Sequence, residues 1–164
     1  MSASTQPARD RATRTADALA ALRAPGADVW VATASPDGVP YLVPLSLVWW
    51  EEQVVVALGA TSPTARNLTA SGRARLGVGP TRDVVMLDVV LDRVVDVGAD
   101  DGLAEAFVAQ ADWDPRRGDG YVFLVLRPTR VQAWREANEI PGRTLMTDGT
   151  WSDRSGRPVA RTES

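Results

Sequence analysis

The spacing of apolar residues predicts an amphipathic helix near the start of the chain and a series of strands after it. Residues 7–23 are rich in alanine, and their apolar positions recur every three or four residues, so they share one helical face. The Ala-Pro-Gly sequence at 24–26 ends this helix. Residues 28–34 are β-branched and aromatic, and the turn sequence Ser-Pro-Asp-Gly at 35–38 predicts a hairpin into a second strand at 40–49.

The same patterns predict further strands and two short helices. The strands are expected at 53–58, 74–78, 84–97, 121–127 and 129–136. A hydroxyl cap, an early proline and a glycine stop predict a helix of about two turns at 63–70. Two aspartates cap a second helix at 103–111. Pro128 is expected to mark a bend between the last two strands or a kink at a sheet edge.

Six or seven strands with mostly short links and two or three outer helices predict a mainly β fold, an antiparallel barrel or sandwich. The long connection that leads to residue 121 is typical of a Greek-key return. We expect one domain at residues 9–151, a disordered N-terminus at 1–8 and a flexible tail at 152–164.

Composition excludes most chemistry that a protein performs with its own side chains. The basic residues are all arginine, and the chain has no lysine, histidine or cysteine. A Schiff-base lysine, a thiolate nucleophile, a histidine base and a His- or Cys-ligated zinc site are therefore excluded. If the chain is an enzyme, a bound cofactor is expected to supply the reactive atom.

Charge and hydropathy narrow the partners and the location. The net charge of −3 and the pI near 5.0 argue against a nucleic-acid partner. No apolar run approaches the roughly 18 residues that a membrane span needs, and the first thirty residues lack a signal-peptide core. We expect a cytoplasmic protein with no membrane partner.

The start of the helix at 63–70 is the most specific candidate site. Free backbone N–H groups and the helix dipole favour an anion at a helix N-terminus. Thr61, Ser62 and Thr64 add hydroxyl groups, and Arg66 can donate two parallel hydrogen bonds to a phosphate. A capped connecting helix with an exposed arginine explains the same residues without a ligand.

Five segments of the chain, at 30–33, 36–40, 54–58, 61–68 and 127–134, occur in an order that is shared with one family. Over residues 14–136 the sequence resembles the pyridoxamine 5′-phosphate oxidase-like FMN-binding split barrels. The resemblance implies a six-stranded antiparallel Greek-key split β-barrel with peripheral helices. It also implies a homodimer that holds its cofactors at the subunit interface, with FMN in many members and coenzyme F420 in others.

The resemblance implies a set of cofactor-binding residues. At the phosphate end these are Thr61, Ser62, Thr64, Arg66 and Asn67. Along the ring they are Pro44, Leu45 and Ser46. Many relatives carry a basic residue at the position of Thr64, so one charged contact with the phosphate is missing here. Because F420 has an acidic tail that needs basic residues most, FMN is the expected cofactor and F420 the alternative.

Three other features of the sequence are candidate sites. Asp88 and Asp92 lie about 13 Å apart on one strand, too far for a glycosidase pair, and are expected on a solvated face with Arg93. Pro141 and Gly142 predict a tight turn, which is expected to place the Arg143 side chain over a cofactor site. Six tryptophans are expected mainly in the core, and neighbouring strand residues such as Trp49 and Trp50 must face opposite ways.

These observations favour an FMN-binding oxidoreductase that transfers a hydride, through the flavin, to or from a small organic substrate. The catalytic residues and the substrate stay unassigned. Three alternatives remain open: an F420-dependent reductase, a non-enzymatic dimer that binds a flavin or another small ligand, and a structural dimer that acts through protein contacts.

Overall fold

The computed structural model describes residues 6–153 and 155–159. In chain order the elements are α1 (Arg11–Arg23), β1 (Asp28–Ala34), β2 (Pro40–Ser46), β3 (Val48–Trp50), β4 (Gln53–Gly59), α2 (Pro63–Ser71), β5 (Arg73–Val78), β6 (Val84–Asp96), α3 (Asp101–Ala111), β7 (Tyr121–Trp134), β8 (Thr144–Thr147) and β9 (Thr150–Trp151). Most of the predicted disordered N-terminus, at residues 1–5, and part of the predicted tail, at 154 and 160–164, lie outside the described residues. In the part of the chain that is described, no helix is long and apolar enough to cross a membrane.

The strands form one antiparallel sheet, which confirms the mainly β split barrel with peripheral helices. The strand order is β2-β1-β5-β6-β7-β4-β3, and β8 and β9 continue the sheet from the second half of β7. Six of the strands have six or more residues. The order ends at β2 and β3, so the sheet is not closed. Among the described strands, β2 therefore has β1 as its one partner and forms a free edge of the sheet.

The predicted strand at 40–49 is two strands because the chain turns inward at Leu47. Leu47 is completely buried, and its N–H donates to the Ala27 carbonyl at 2.8 Å. This bond continues the β1–β2 ladder by one residue and directs the chain away from the edge of the sheet. β3 then pairs with β4 instead of β1.

The apolar core has two layers on either side of β4 and β7. The barrel interior holds residues such as Val31, Leu76 and Leu87, which alternate with outward residues along their strands. On the outside of β4 and β7, α3 adds a second cluster around Phe107, whose ring lies 5.2 Å from that of Phe123. Both faces of these two strands are covered, so they read as continuous apolar runs rather than as alternating ones.

Pro128 lies inside one continuous strand, so the predicted break between two strands is wrong. The ladder between β6 and β7 pairs Asp88 with Arg130 and Val89 with Pro128, which leaves Thr129 as the extra residue of a β-bulge. Thr129 Oγ1 donates to the Asp88 carbonyl at 3.1 Å. The bulge tolerates the missing proline N–H, and the strand continues through it.

A buried ion pair fixes the start of the chain to the segment that follows β7. Glu139 is completely buried, and its carboxylate accepts from Arg9 Nε at 3.0 Å, Arg9 Nη2 at 2.8 Å and the Arg9 N–H at 2.8 Å. The Arg135 N–H donates to the same carboxylate at 2.8 Å. These hydrogen bonds, led by the Arg9 side chain, lower the pKa of Glu139 to about 2.

Two further arginines of α1 bind backbone carbonyls of the same segment. Arg14 is buried and donates from Nη1 to the Glu139 carbonyl at 3.0 Å and to the Gly142 carbonyl at 3.2 Å. Arg11 donates to the Thr144 carbonyl. We call Arg9, Arg11 and Arg14 the arginine clamp. The clamp orders residues 139–144, which have little regular structure of their own.

Candidate functional site

The start of α2 supplies the predicted anion-binding chemistry, with fewer free donors than the sequence suggests. Ser62 caps the helix, and its Oγ accepts from the Ala65 N–H at 3.2 Å. Pro63 follows and has no N–H. Arg66 is exposed, and its guanidinium donates to the Thr61 carbonyl. The positive charge of Arg66 is thereby folded back over the helix N-terminus, where it adds to the helix dipole.

Two of the candidate residues lie on the inner face of α2. Thr64 is 2% exposed and Asn67 is 8% exposed. Asn67 Nδ2 donates to Thr33 Oγ1 of β1 at 3.1 Å, so the amide anchors the helix to the sheet. Thr64 is enclosed between the helix and the barrel. The helix therefore presents Arg66, and not Thr64, to the space beside it.

A groove of about 460 Å³ lies between α2 and the β1–β2 hairpin. Pro63 and Arg66 line it from the helix, and Pro36, Val39 and Tyr41 line it from the hairpin. Of the described residues in its wall, Arg66 is the one that carries a charge. An apolar groove with one cation at its rim fits a ligand that joins an anionic group to an apolar or aromatic part.

The three candidate ring contacts of β2 do not share one face. Leu45 points into the barrel and packs against the interior core. Pro44 is exposed on the outer face, and Ser46 accepts a hydrogen bond from Trp113 Nε1 at 3.0 Å. Side chains alternate along a strand, so Pro44 and Ser46 face outward, while the partly buried Leu45 faces the barrel interior.

Trp30 and Pro44 flank a second groove of about 500 Å³ on the outer face of the sheet. Trp30 pairs with Pro44 on one side and with Gly77 on the other, and its side chain is 53% exposed. Sequence reasoning did not assign Trp30 or Tyr41 to a site. For Trp30 the signal was present, because its neighbours Val29 and Val31 fit the inward face of an alternating strand.

The outer face of β5, β6 and β7 carries a polar network. Asp88 accepts from Arg130 Nε at 2.7 Å and lies 3.6 Å from Arg75 Nε. Arg75 Nη2 donates to Gln132 at 3.3 Å. The carboxylate of Asp88 is therefore paired with arginines of the two neighbouring strands. Arg93, which was expected on the same face, pairs instead with Asp92 at 2.8 Å.

The segment held by the arginine clamp places Arg143 on an aromatic ring. The Arg143 guanidinium lies 5.6 Å from the centroid of Trp134, within the range of a cation–π contact. No carboxylate of residues 6–153 or 155–159 forms a salt bridge with it. Arg143 is thus an ordered cation on the outer side of β7, available to a ligand that approaches this face.

A larger cavity of about 670 Å³ lies away from α2, between the β3–β4 turn, β7 and the β8–β9 hairpin. Glu51, Glu52, Arg127 and Asp148 line it, so its character is mainly acidic. Within the described residues, no group of three or more acidic side chains is arranged to hold a metal ion. The cavity does not share the chemistry of the α2 groove.

The comparisons with known proteins agree with the fold. The family model of pyridoxamine 5′-phosphate oxidase matches residues 16–135. No curated protein matches the chain. Three solved structures resemble it, each with a TM-score of 0.57. An F420 reductase is 18% identical, and the match covers 68% of this chain and 94% of that one. General stress protein 26 of Bacillus anthracis is 13% identical, with 76% of this chain and 92% of that one covered, and a heme binding protein of Mycobacterium smegmatis is 21% identical, with 85% of this chain and 57% of that one covered. At these identities the likeness establishes the fold alone.

Proposed function

Because the chain belongs to the pyridoxamine 5′-phosphate oxidase family, we propose that it binds FMN and acts as a flavin-dependent oxidoreductase on a small organic substrate. The observation that carries this proposal is the position of Arg66. Among the residues that the structure describes, it is the one charged residue in the wall of the groove between α2 and the hairpin. It lies in the first turn of the helix, where an anion is favoured.

Residues in and beside the groove would divide between the two ends of the cofactor. Arg66 and the hydroxyl of Thr61 would bind the phosphate, and Ser62 keeps the helix N-terminus in place by capping it. The open edge of β2 and the outer side of Pro44 would lie along the ring. The bound flavin would supply the hydride chemistry, since the chain has no lysine, histidine or cysteine. The role of the protein is then to bind, orient and shield the ring.

The same geometry favours FMN over F420. The groove offers one arginine, and the buried Thr64 adds no charge. A single bidentate arginine is suited to one phosphate group. F420 remains the alternative because Arg75, Arg130 and Arg143 lie on the outer face of the sheet, where a longer acidic tail would meet them.

A homodimer that encloses the cofactor at its interface is part of this proposal. Trp30, Leu42 and Pro44 point outward from β1 and β2, and Trp30 and Leu42 are 53% and 58% exposed. Large exposed apolar side chains on one face mark a contact surface. Light scattering after size-exclusion chromatography should give a mass twice the 17.6 kDa of one chain. A monomer at micromolar concentration would contradict this part.

Titration with FMN and with F420, after the absorbance of the freshly purified protein is recorded, tests the proposal directly. Arg66→Ala should weaken FMN binding by roughly 1.5–3 kcal/mol, the scale of a hydrogen bond to a charged group. Arg82→Ala is a matched control, because Arg82 is also exposed but pairs with Glu136 away from the groove. If the two variants bind FMN with the affinity of the parent, Arg66 does not hold the phosphate.

A non-enzymatic flavin-binding dimer is the second candidate function. It is favoured by one observation: no side chain near the groove has an ordinary pKa close to neutrality, since the chain lacks histidine. Reduced nicotinamide distinguishes the two candidates. Bleaching of the bound flavin and its return with an organic acceptor supports the oxidoreductase, and a bound flavin that neither donor nor acceptor affects supports the binding protein.

A further inference from the structure

The free edge of β2 has a hydrogen-bonding pattern that can be read from its ladder with β1. Among the described strands β2 pairs with β1 alone. The ladder is marked at both ends by hydrogen bonds from the Ser35 N–H to the Val39 carbonyl at 3.0 Å and from the Leu47 N–H to the Ala27 carbonyl at 2.8 Å. Hydrogen-bonded and non-hydrogen-bonded pairs alternate in an antiparallel ladder, so both ends fix the same alternation.

By this alternation the odd-numbered residues of β2 bond to β1, and the even-numbered residues direct their backbone groups to the free edge. Val43, which pairs with Val31, is one of the bonded residues. Pro40 and Pro44 occupy even positions, where the missing N–H breaks no ladder bond. Their placement agrees with the alternation and is independent of the two hydrogen bonds at the ends of the ladder.

The two prolines leave Leu42 as the one residue from 40 to 45 with an N–H on the free edge. Its carbonyl lies beside that N–H, because an extended residue presents both groups in the same direction. The Leu42 side chain is 58% exposed. The middle of β2 therefore offers one isolated donor–acceptor pair, flanked by two positions without a donor.

We propose that the backbone N–H and carbonyl of Leu42 hydrogen-bond the imide edge of the cofactor ring, and that this pair fixes the orientation of the ring. Flavins and deazaflavins share an edge on which an N–H lies between two carbonyls. One ring carbonyl accepts from the Leu42 N–H, and the ring N–H donates to the Leu42 carbonyl. The inference rests on the proposed flavin-binding function.

The position of Leu42 between the two grooves supports this assignment. Tyr41, one residue before it, lines the groove that contains Arg66. Pro44, two residues or about 7 Å after it, lines the groove beside Trp30. A ligand with its phosphate at Arg66 and its ring beyond Tyr41 would extend along this part of the edge. An exposed sheet edge also recognises ligands through its main-chain groups.

A pair of substitutions separates the backbone of Leu42 from its side chain. Leu42→Pro removes the edge N–H without breaking a ladder bond, and Leu42→Ala keeps the N–H while shortening the side chain. We expect Leu42→Pro to bind FMN about tenfold more weakly than Leu42→Ala, because both variants lose most of the Leu42 side chain and only Leu42→Pro also loses the N–H. Val43→Pro, which removes a ladder N–H, should lose folded protein and so confirm the alternation.

FMN methylated at ring nitrogen N3 tests the carbonyl of Leu42 on the unmodified protein. We expect it to bind about tenfold more weakly than FMN. Equal affinity for both ligands would overturn the inference, and so would a folded Leu42→Pro variant that binds like Leu42→Ala. In both cases FMN still binds, so the proposed function stands. A parent protein that binds neither FMN nor F420 would overturn both. If Leu42→Pro does not fold, the affinity of the unmodified protein for the methylated FMN tests the inference by itself.

Discussion

Replacing Glu139 by glutamine should remove a defined, pH-dependent part of the stability. The pKa of Glu139 is lowered from 4.5 to about 2, mainly by the Arg9 side chain and then by the backbone N–H groups of Arg9 and Arg135. A carboxylate with a lowered pKa in the folded state stabilises that state above its unfolded pKa, and this stability is lost as the pH falls through the folded pKa. The pKa difference corresponds to about 3 kcal/mol at pH 7 and about 1.5 kcal/mol at pH 3.

Urea unfolding of the parent and of Glu139→Gln between pH 3 and pH 7 measures this effect. The free energies of unfolding should differ by about 3 kcal/mol at pH 7, and the difference should shrink by about half at pH 3. Glu136→Gln is the matched control, because the Glu136 side chain is 40% exposed and its ion pair with Arg82 should contribute less than about 1 kcal/mol. A difference between parent and Glu139→Gln that does not change with pH would refute the reasoning.

Three further predictions concern local structure, and urea or thermal unfolding checks each of them. Ser62→Ala should cost about 1 kcal/mol through the loss of the helix cap, and an unchanged stability would mean that the cap is absent. Asn67→Ala and Thr33→Val should each destabilise the protein by about 1–3 kcal/mol, and their combination should cost less than the sum, because both break one buried hydrogen bond. Gly79→Ala should cost more than about 1 kcal/mol, since φ is +85° and the new Cβ would lie 2.7 Å from a backbone oxygen, whereas Gly98→Ala, with open space around it, should be within about 0.5 kcal/mol of the parent.

The strands with one buried face were predictable from sequence because their side chains alternate between core and solvent. β1 and β5 follow this alternation along their whole length. It also predicts correctly that Trp49 and Trp50 face opposite ways, since one packs on the barrel interior and the other on the cluster under α3. The capping pattern at Ser62 located α2 for a local reason as well.

Features that depend on distant residues were not predictable. The bulge at Pro128 requires a partner strand about forty residues earlier, and the pairing of Glu139 with Arg9 joins positions 130 residues apart. Four of the six tryptophans pack against the two core clusters as partly buried side chains, and only Trp30 of the six is largely exposed, so the expectation that most tryptophans contribute to the core agrees with their packing.

The candidate site was predictable in its location and less so in its detail. Local sequence identifies a helix N-terminus with an arginine nearby, but it does not define which face of a nine-residue helix meets the sheet. That face is decided by packing against β1, and it turns Thr64 and Asn67 inward and Arg66 outward. The β2 edge likewise depends on strand order, which no local pattern contains.

The arginine clamp has a consequence for synthesis of the chain on the ribosome. Arg9, Arg11 and Arg14 leave the ribosome early, but their acceptors at residues 139–144 are translated some 130 positions later. At 5–20 residues per second this interval is roughly 7–26 s. During that time the nascent N-terminal helix cannot complete its native contacts. The clamp contacts of this helix are therefore the last to form, whereas Leu22 of the same helix packs in the barrel core and its carbonyl binds Gln110, which is translated earlier. A nascent chain that stops before residue 139 would lack the clamp acceptors.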